Sequence, residues 1–565
     1  MRSGFRFCLV IALAAGSLQA QAQEDPHAFC AGAGWVPPGI LDRPLPLRAD
    51  TGNSKDLVTT SSEEARAYYL QGLNYLHGYS WIEGARSFQQ ALRLDPNFAM
   101  AHWGLSRIYS GLDDHEKAVS AAQKAKELAA KATPREQRRV VVRLAQLDAL
   151  ADLGNASLFA AYKAAIDKAI AADISDPELW LIRGNAEEPT AAGRGQRGGV
   201  ASTAFYQEAL RIAPDNGAAH HYLTHSYENL NQIDRALVHG EVYARLAAAI
   251  PHAHHMWGHD LRRVGRLDEA IAAFNRTNDL ENAYYKAENI PSELDWHHVH
   301  NLDLLATAYE HKGQMRRAET LLREAVAVKA VTEYQEYNQK SLTVFLSGRE
   351  RWREALVTAQ VLVKAKSAGT RVVGYSLAGH AHLGLRDAKA AQRALESAQK
   401  ELGNVPTLVG GVAVARGVVL PYVDALRAEI LLREGKSDEG RALMKDVQAR
   451  LRALPGPDAW TQALFRLESF ARIARDVGDW ELAEHTAKQM LDHDAAYGGS
   501  HLAMALVAKQ KGDAETARLE VEAARKFWKD ADRDMKELDL LHGKLESDRD
   551  FRIVGHARPV YVPPN

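Results

Sequence analysis

The sequence predicts an all-α protein, a solenoid of stacked helix pairs, on three observations. The composition is alanine- and leucine-rich and charge-balanced, with 13 Phe in 565 residues, which favours helix over sheet. Small residues recur at a fixed step: Ser202, Ala236 and Ala270 lie 34 residues apart, as do Ala483 and Ala517. A period of that length marks one supersecondary unit that buries its apolar face only by stacking on its neighbours. Helix-start signals also recur, as in Ser61-Ser62-Glu63-Glu64 and Asp176-Pro177.

The chain divides in order as follows. Arg2 and Arg6 precede the apolar run 7–15, and Ala20-Gln21-Ala22 supplies small residues for cleavage, so residues 1–22 read as a signal peptide. That run is too short to span a bilayer, and no later stretch approaches 18 apolar residues. The expected location is therefore periplasmic or secreted, without a membrane span. Cys8 leaves with the signal peptide, and Cys30 stands alone, which excludes an intramolecular disulfide. Residues 23–60 are an irregular lead-in containing Pro26, Pro37, Pro38, Pro44 and Pro46. Helical units follow over 61–190, a histidine-rich centre over 191–330, and further units over 331–525. Gly193–Gly198 fits G-x-G-x-x-G, but no strand precedes it, so it reads as a loop. Residues 404–421 (NVPTLVGGVAVARGVVLP) read as a long insertion, and 526–565 as a charged capping helix over 526–547 with an extended tail.

Within the first unit Tyr68, Gly72, Tyr75, Gly84, Phe88, Ala91 and Pro96 stand at positions 4, 8, 11, 20, 24, 27 and 32 of a 34-residue frame. Leu105, Ser106, Tyr109, Ala118 and Ala125 continue the series in the next unit. These residues resemble the tetratricopeptide repeat (TPR) family, whose small residues let paired helices approach while the aromatics fill gaps between units. The resemblance spans most of the mature chain. It implies a right-handed superhelix whose concave groove takes a partner protein, a peptide or another ligand, with helix positions 2, 5, 9, 12 and 13 facing that groove.

The centre carries the candidate site. Twelve of the 23 histidines lie between His220 and His311. With Ala236 at position 20, His221 falls at 5, His225 at 9 and Glu228 at 12; with Ala270 at 20, His255 falls at 5 and His259 at 9. With Ala318 at 20, His300 falls at 2, Glu310 at 12 and His311 at 13. Imidazoles at i and i+4 share a helix face and can chelate one ion, and neighbouring helices lie close enough to combine two pairs. His221, His225, His255, His259, Glu228 and His300 are thus candidate metal ligands, enough for one closed site or for two ions with open positions. Imidazole suits copper, zinc or iron and does not choose among them. Asn185, Glu188, Glu310 and His311 are candidate ligand-groove residues. His220 and His254 fall at position 4, a packing position, and read as structural. A polar ligand groove without metal, and a purely structural role, are the alternatives for the whole cluster.

The blocks His221-Tyr222-x-x-His225-x-x-Glu228 and His255-Met256-x-x-His259 resemble those of a group of exported bacterial TPR proteins. In that group the second block runs H-M-P-S-H and an H-N-x-H-like block follows. Here Trp257-Gly258 replaces Pro-Ser, and His300-Asn301 is followed by Leu302-Asp303.

Seventy basic residues stand against 72 acidic ones and no basic face emerges, so nucleic-acid binding has no electrostatic support. Neither a P-loop, a G-x-S-x-G nor an H-E-x-x-H occurs. The sequence leaves three functions: a binding solenoid with a histidine-lined metal site, a metal-dependent enzyme using the same histidines, and metal storage or delivery.

Overall fold

Side-chain caps start several of the helices, and small residues let the second helix of a pair lie close to the first. The computed structural model describes residues 36–405, 416–454 and 457–541; among these every regular element is helical. The signal peptide, Cys30 and the extended tail lie outside the described residues. The first pair is α1 (Glu63–His77) and α2 (Trp81–Leu94). The Ser62 side chain accepts the Ala65 N–H at 3.1 Å and caps α1. Gly72 of α1 and Gly104 of the following helix, Ala99–Gly111, both lie against the ring of Phe88; a Cβ at either position would stand 2.8 or 2.4 Å from ring carbons. Gly184 repeats the arrangement on Tyr206, and Gly258 on Phe274. The positions read as small–aromatic in the sequence are therefore the contacts that pair the helices.

Three helices carry the histidines: α3 (Gly217–Asn229), α4 (Pro251–Arg263) and α6 (Trp296–His311), with α5 (Leu267–Glu288) between the last two. Asn216 caps α3, Pro251 occupies the first turn of α4, and Asp295 caps α6. Successive helices pack on one another, and α3, α4 and α6 also touch in series as next-but-one neighbours.

The turn inside many of the pairs places one residue in the left-handed region. Asp113, Asn231, Gly265 and Gly313 fill it, residues that tolerate it. Tyr79 fills it after α1 with φ 56°, a conformation a bulky side chain adopts only at a cost of roughly 1–3 kcal/mol. Its ring is thereby driven inward, against the histidines of α3 and α4.

The hollow of the solenoid is filled at its centre by the chain itself. Helix α7 (Pro457–Val477) packs on α4 and α6, and α1 packs on α3. The lead-in crosses the first units: Arg139, 2% exposed, binds both Asp56 and Asp176, and Ala249 donates its N–H to the Asp50 carbonyl at 2.8 Å.

Two expected segments differ from the sequence reading. Residues 416–421, expected within the insertion, form the start of the helix Arg416–Arg433, with Pro421 inside it. Val418 and Val419 are buried, and that burial offsets the single backbone hydrogen bond Pro421 cannot make; residues 406–415 lie outside the described residues. The capping segment is not one helix. The helix Ala514–Phe527 stops and a short helix resumes at Lys536–Leu541. Between them Trp528 is buried and donates its indole N–H to the His311 carbonyl at 3.1 Å. No helix among the described residues is long and apolar enough to cross a membrane.

Candidate metal centre

The four paired histidines divide between two triads. His221 and His225 of α3 meet His252 of α4, and His255 and His259 of α4 meet His300 of α6. In each triad one ring nitrogen per histidine lies within 4.8 Å of the others, and none of the six residues is more than 5% exposed. The second triad repeats the first one unit further on: positions 5 and 9 of one helix with position 2 of the next. His252 was not singled out by sequence, although the same register places it at position 2 once Ala270 stands at 20.

In the first triad the Nε2 atoms of His225 and His252 each lie 3.1 Å from Nε2 of His221. The Nδ1–H of His221 points to the backbone carbonyl of His77 at 2.6 Å, which fixes the tautomer and leaves Nε2 as the lone-pair nitrogen. The ring stacks on Tyr243 at 4.7 Å and meets the Tyr79 ring edge-on at 4.7 Å. In the second triad the Asn301 amide donates to the Phe274 carbonyl at 3.1 Å, so its oxygen faces Nδ1 of His255 at 3.0 Å and plays the same part. Nε2 of His255 is buried with no hydrogen-bond partner. His300 Nδ1 lies 2.8 Å from the Tyr334 hydroxyl.

Burial sets the protonation. It pushes His221 down to about 3, and His252 and His255 well below the ordinary imidazole range, with neighbouring histidines adding to the effect in the latter two. These rings are neutral at neutral pH, the form that ligates metal. Three buried imidazoles converging in one pocket are a donor set that suits copper, zinc or iron.

The remaining predicted residues fall in three places. Glu228 joins neither triad; its Oε1 is 3.7 Å from His259 Nδ1, beyond hydrogen-bond range, and it faces Asp260. Burial pushes Glu228 up to about 8 and, helped by Glu228, Asp260 well above its usual range, so the pair lies beside the second triad as a proton-holding couple. Asn185 accepts from the Tyr206 hydroxyl, and Glu188 accepts the Arg194 N–H at 3.2 Å; both line a cleft of about 340 Å³ that also reaches Tyr79, Arg107 and Arg143. Glu310 and His311 lie apart from both. Burial pushes Glu310 up to about 8, and His311 binds Asp494 at 2.9 Å. His220 bonds His239 and the Pro214 carbonyl, and His254 the Ala248 carbonyl, in packing roles.

Residues 101–131, which cover all but the first two residues of the helix pair Ala99–Gly111 and His115–Ala129, match the tetratricopeptide repeat family. No curated protein matches the chain. Among solved structures it is similar to the human IFIT1 dimer with m7Gppp-AAAA, at 13% identity over 84% of this chain and 91% of that one, with TM-score 0.32. It is also similar to yeast Tom70 (12%, 87% and 97%, TM-score 0.29) and to Cut9–Hcn1 of the APC/C (10%, 86% and 97%, TM-score 0.30). At such scores none of these bears on what this chain binds. The protein is an all-helical array of paired helices with recurring small–aromatic packing contacts, and over residues 101–131 it matches the tetratricopeptide repeat family.

Proposed function

We propose that this is an exported metal-binding solenoid in which each histidine triad holds one transition-metal ion, copper, zinc or iron. The repetition of the triad in successive units carries the reading: two independent sets of three buried imidazoles converge by the same positions of the repeat. Hydrogen bonds from His221 to the His77 carbonyl and from His255 to Asn301 orient the rings as outer partners orient metal ligands. These rings are at most 5% exposed, so a peptide on the surface does not reach them. Recognition of a small ligand or peptide falls instead to the cleft beside the first triad, where Arg107, Arg143, Asn185 and Glu188 present polar groups.

A second reading, a metal-dependent enzyme, has one observation in its favour. Three protein ligands leave a coordination position open, whereas a structural site closes with four. An ion held so supplies Lewis acidity and a position for water or substrate. Tyr79 and Tyr222 both line the cleft and pack on His221 of the first triad.

Elemental analysis of the purified protein tests the proposal. Two ions per chain are expected, one for each triad. Replacing His225 and His259 together by Ala removes them and leaves the helical circular dichroism nearly unchanged. Metal-free protein that takes up no copper, zinc or iron on reconstitution overturns the reading.

A further inference from the structure

A seventh histidine outside both triads has the local arrangement of a ligand. His297 opens α6 and is 4% exposed. Its Nδ1 lies 2.5 Å from Oε1 of Glu281, a residue 1% exposed on α5. The other oxygen of Glu281 accepts from Nδ1 of His298 at 2.9 Å, so the carboxylate is anchored from two sides. With Nδ1 donating, Nε2 of His297 carries the lone pair, and that atom is buried with no hydrogen-bond partner.

The ring is set between the triads. Its centroid is 4.4 Å from that of His255 and 6.0 Å from that of His300, both of the second triad. It is 5.0 Å from that of His252, of the first. A buried imidazole whose one nitrogen is held by a carboxylate, while the other is unpartnered in a ring packed beside ligating histidines, has the carboxylate–histidine half of the arrangement found at many protein metal sites. An unpartnered buried polar atom is destabilising, and an ion at Nε2 would relieve that.

The length of α5 produces this placement. Ala270 and Ala318 are 48 residues apart, where the preceding step is 34. The added chain extends α5 to 22 residues and carries Glu281 past the usual end of the second helix, opposite the start of α6.

We propose that His297, oriented by Glu281, is an additional ligand at the junction of the two triads, so that the second site has four imidazoles and the first has three. This rests on the metal-binding reading above and deepens it: the two sites are unequal, the second closed and the first open to an exchangeable ligand.

The test is titration of the full-length, metal-stripped protein with Co²⁺, read by its visible ligand-field bands, and with Zn²⁺ by competition against a chelating dye. The wild type should bind two ions, one with the intense bands of four-coordinate cobalt. His297→Ala should lower the affinity of one site and shift those bands, leaving the other site intact. Glu281→Gln, which keeps the side-chain shape, should weaken that site about 10- to 100-fold. His298→Ala, which removes Glu281's other partner, should leave both sites within a few-fold. Two ions bound with unchanged affinity and spectra in both the His297 and Glu281 variants overturn the inference while leaving the triads standing. No binding by the wild type overturns the metal reading itself, and the inference with it.

Discussion

His221 and His255, 34 residues apart, occupy the same place in successive units, and each commits its Nδ1 to a fixed acceptor: the His77 carbonyl at 2.6 Å and the Asn301 amide oxygen at 3.0 Å. The acceptors differ in kind, one main chain and one side chain, yet both turn Nε2 inward. The side-chain acceptor can be removed by mutation. Asn301→Leu should weaken metal binding at the second triad about 10- to 100-fold and leave the first unaffected. Isothermal titration of the two sites, with circular dichroism to confirm the fold, checks this.

The small residue between the second pair of histidines is predicted to be essential for packing. A Cβ at Gly258 would stand 2.7 Å from the Phe274 ring, which is fully buried. Gly258→Ala should therefore destabilise by about 1–3 kcal/mol through overpacking. At Gly348, the last residue of its helix, a Cβ meets nothing within 4 Å. Gly348→Ala should lie within about 0.5 kcal/mol of the wild type or above it. Urea denaturation of the two variants side by side separates these outcomes.

The lead-in is tied down by one buried cation. Arg139 binds Asp56 from the lead-in and Asp176 from the start of a later helix, all three buried. Arg139→Met leaves two buried carboxylates without their counter-ion and should cost about 3–5 kcal/mol. The loss should appear in chemical denaturation, with earlier proteolysis of the lead-in.

Acid should unfold the metal-free protein through its histidines. His221 is pushed down to about 3 by burial, and His252 and His255 well below the ordinary range, against about 6.5 in the unfolded chain. Between those limits the unfolded state binds more protons, so stability rises with pH there and falls as pH drops below about 6.5, by up to about 1.4 kcal/mol per pH unit for each such histidine. Melting temperatures of the metal-free protein from pH 7 to 4 should fall, with a shallower slope in His221→Gln. A flat profile contradicts the account.

Much of this architecture is legible in the sequence because its cause is local. Gly72, Phe88, Gly184, Tyr206, Gly258 and Phe274 touch as their spacing requires, and the register that orders them also turns His221, His225, His255 and His259 inward. The grouping of those four is less legible. Which rings meet depends on how one helix is displaced along the next, and that displacement brings His252 to His221 and His300 to His255. Glu228 shares the face of His225 but meets Asp260, a tertiary pairing with no spacing signal. His297 is invisible to a strict 34-residue frame, because the longer α5 shifts the start of α6. Pro421 reads as a breaker from its residue type alone, and the burial of Val418 and Val419 outweighs that preference.

The claim that the triads are the metal sites is tested most directly by ion stoichiometry in variants that remove one triad at a time. Full-length protein stripped of metal and titrated with Zn²⁺ should bind two ions. His221→Ala/His225→Ala should lose the first site alone and His255→Ala/His259→Ala the second alone, with helical content retained in both. Unchanged stoichiometry in both double variants, or no bound ion in the wild type, would contradict it.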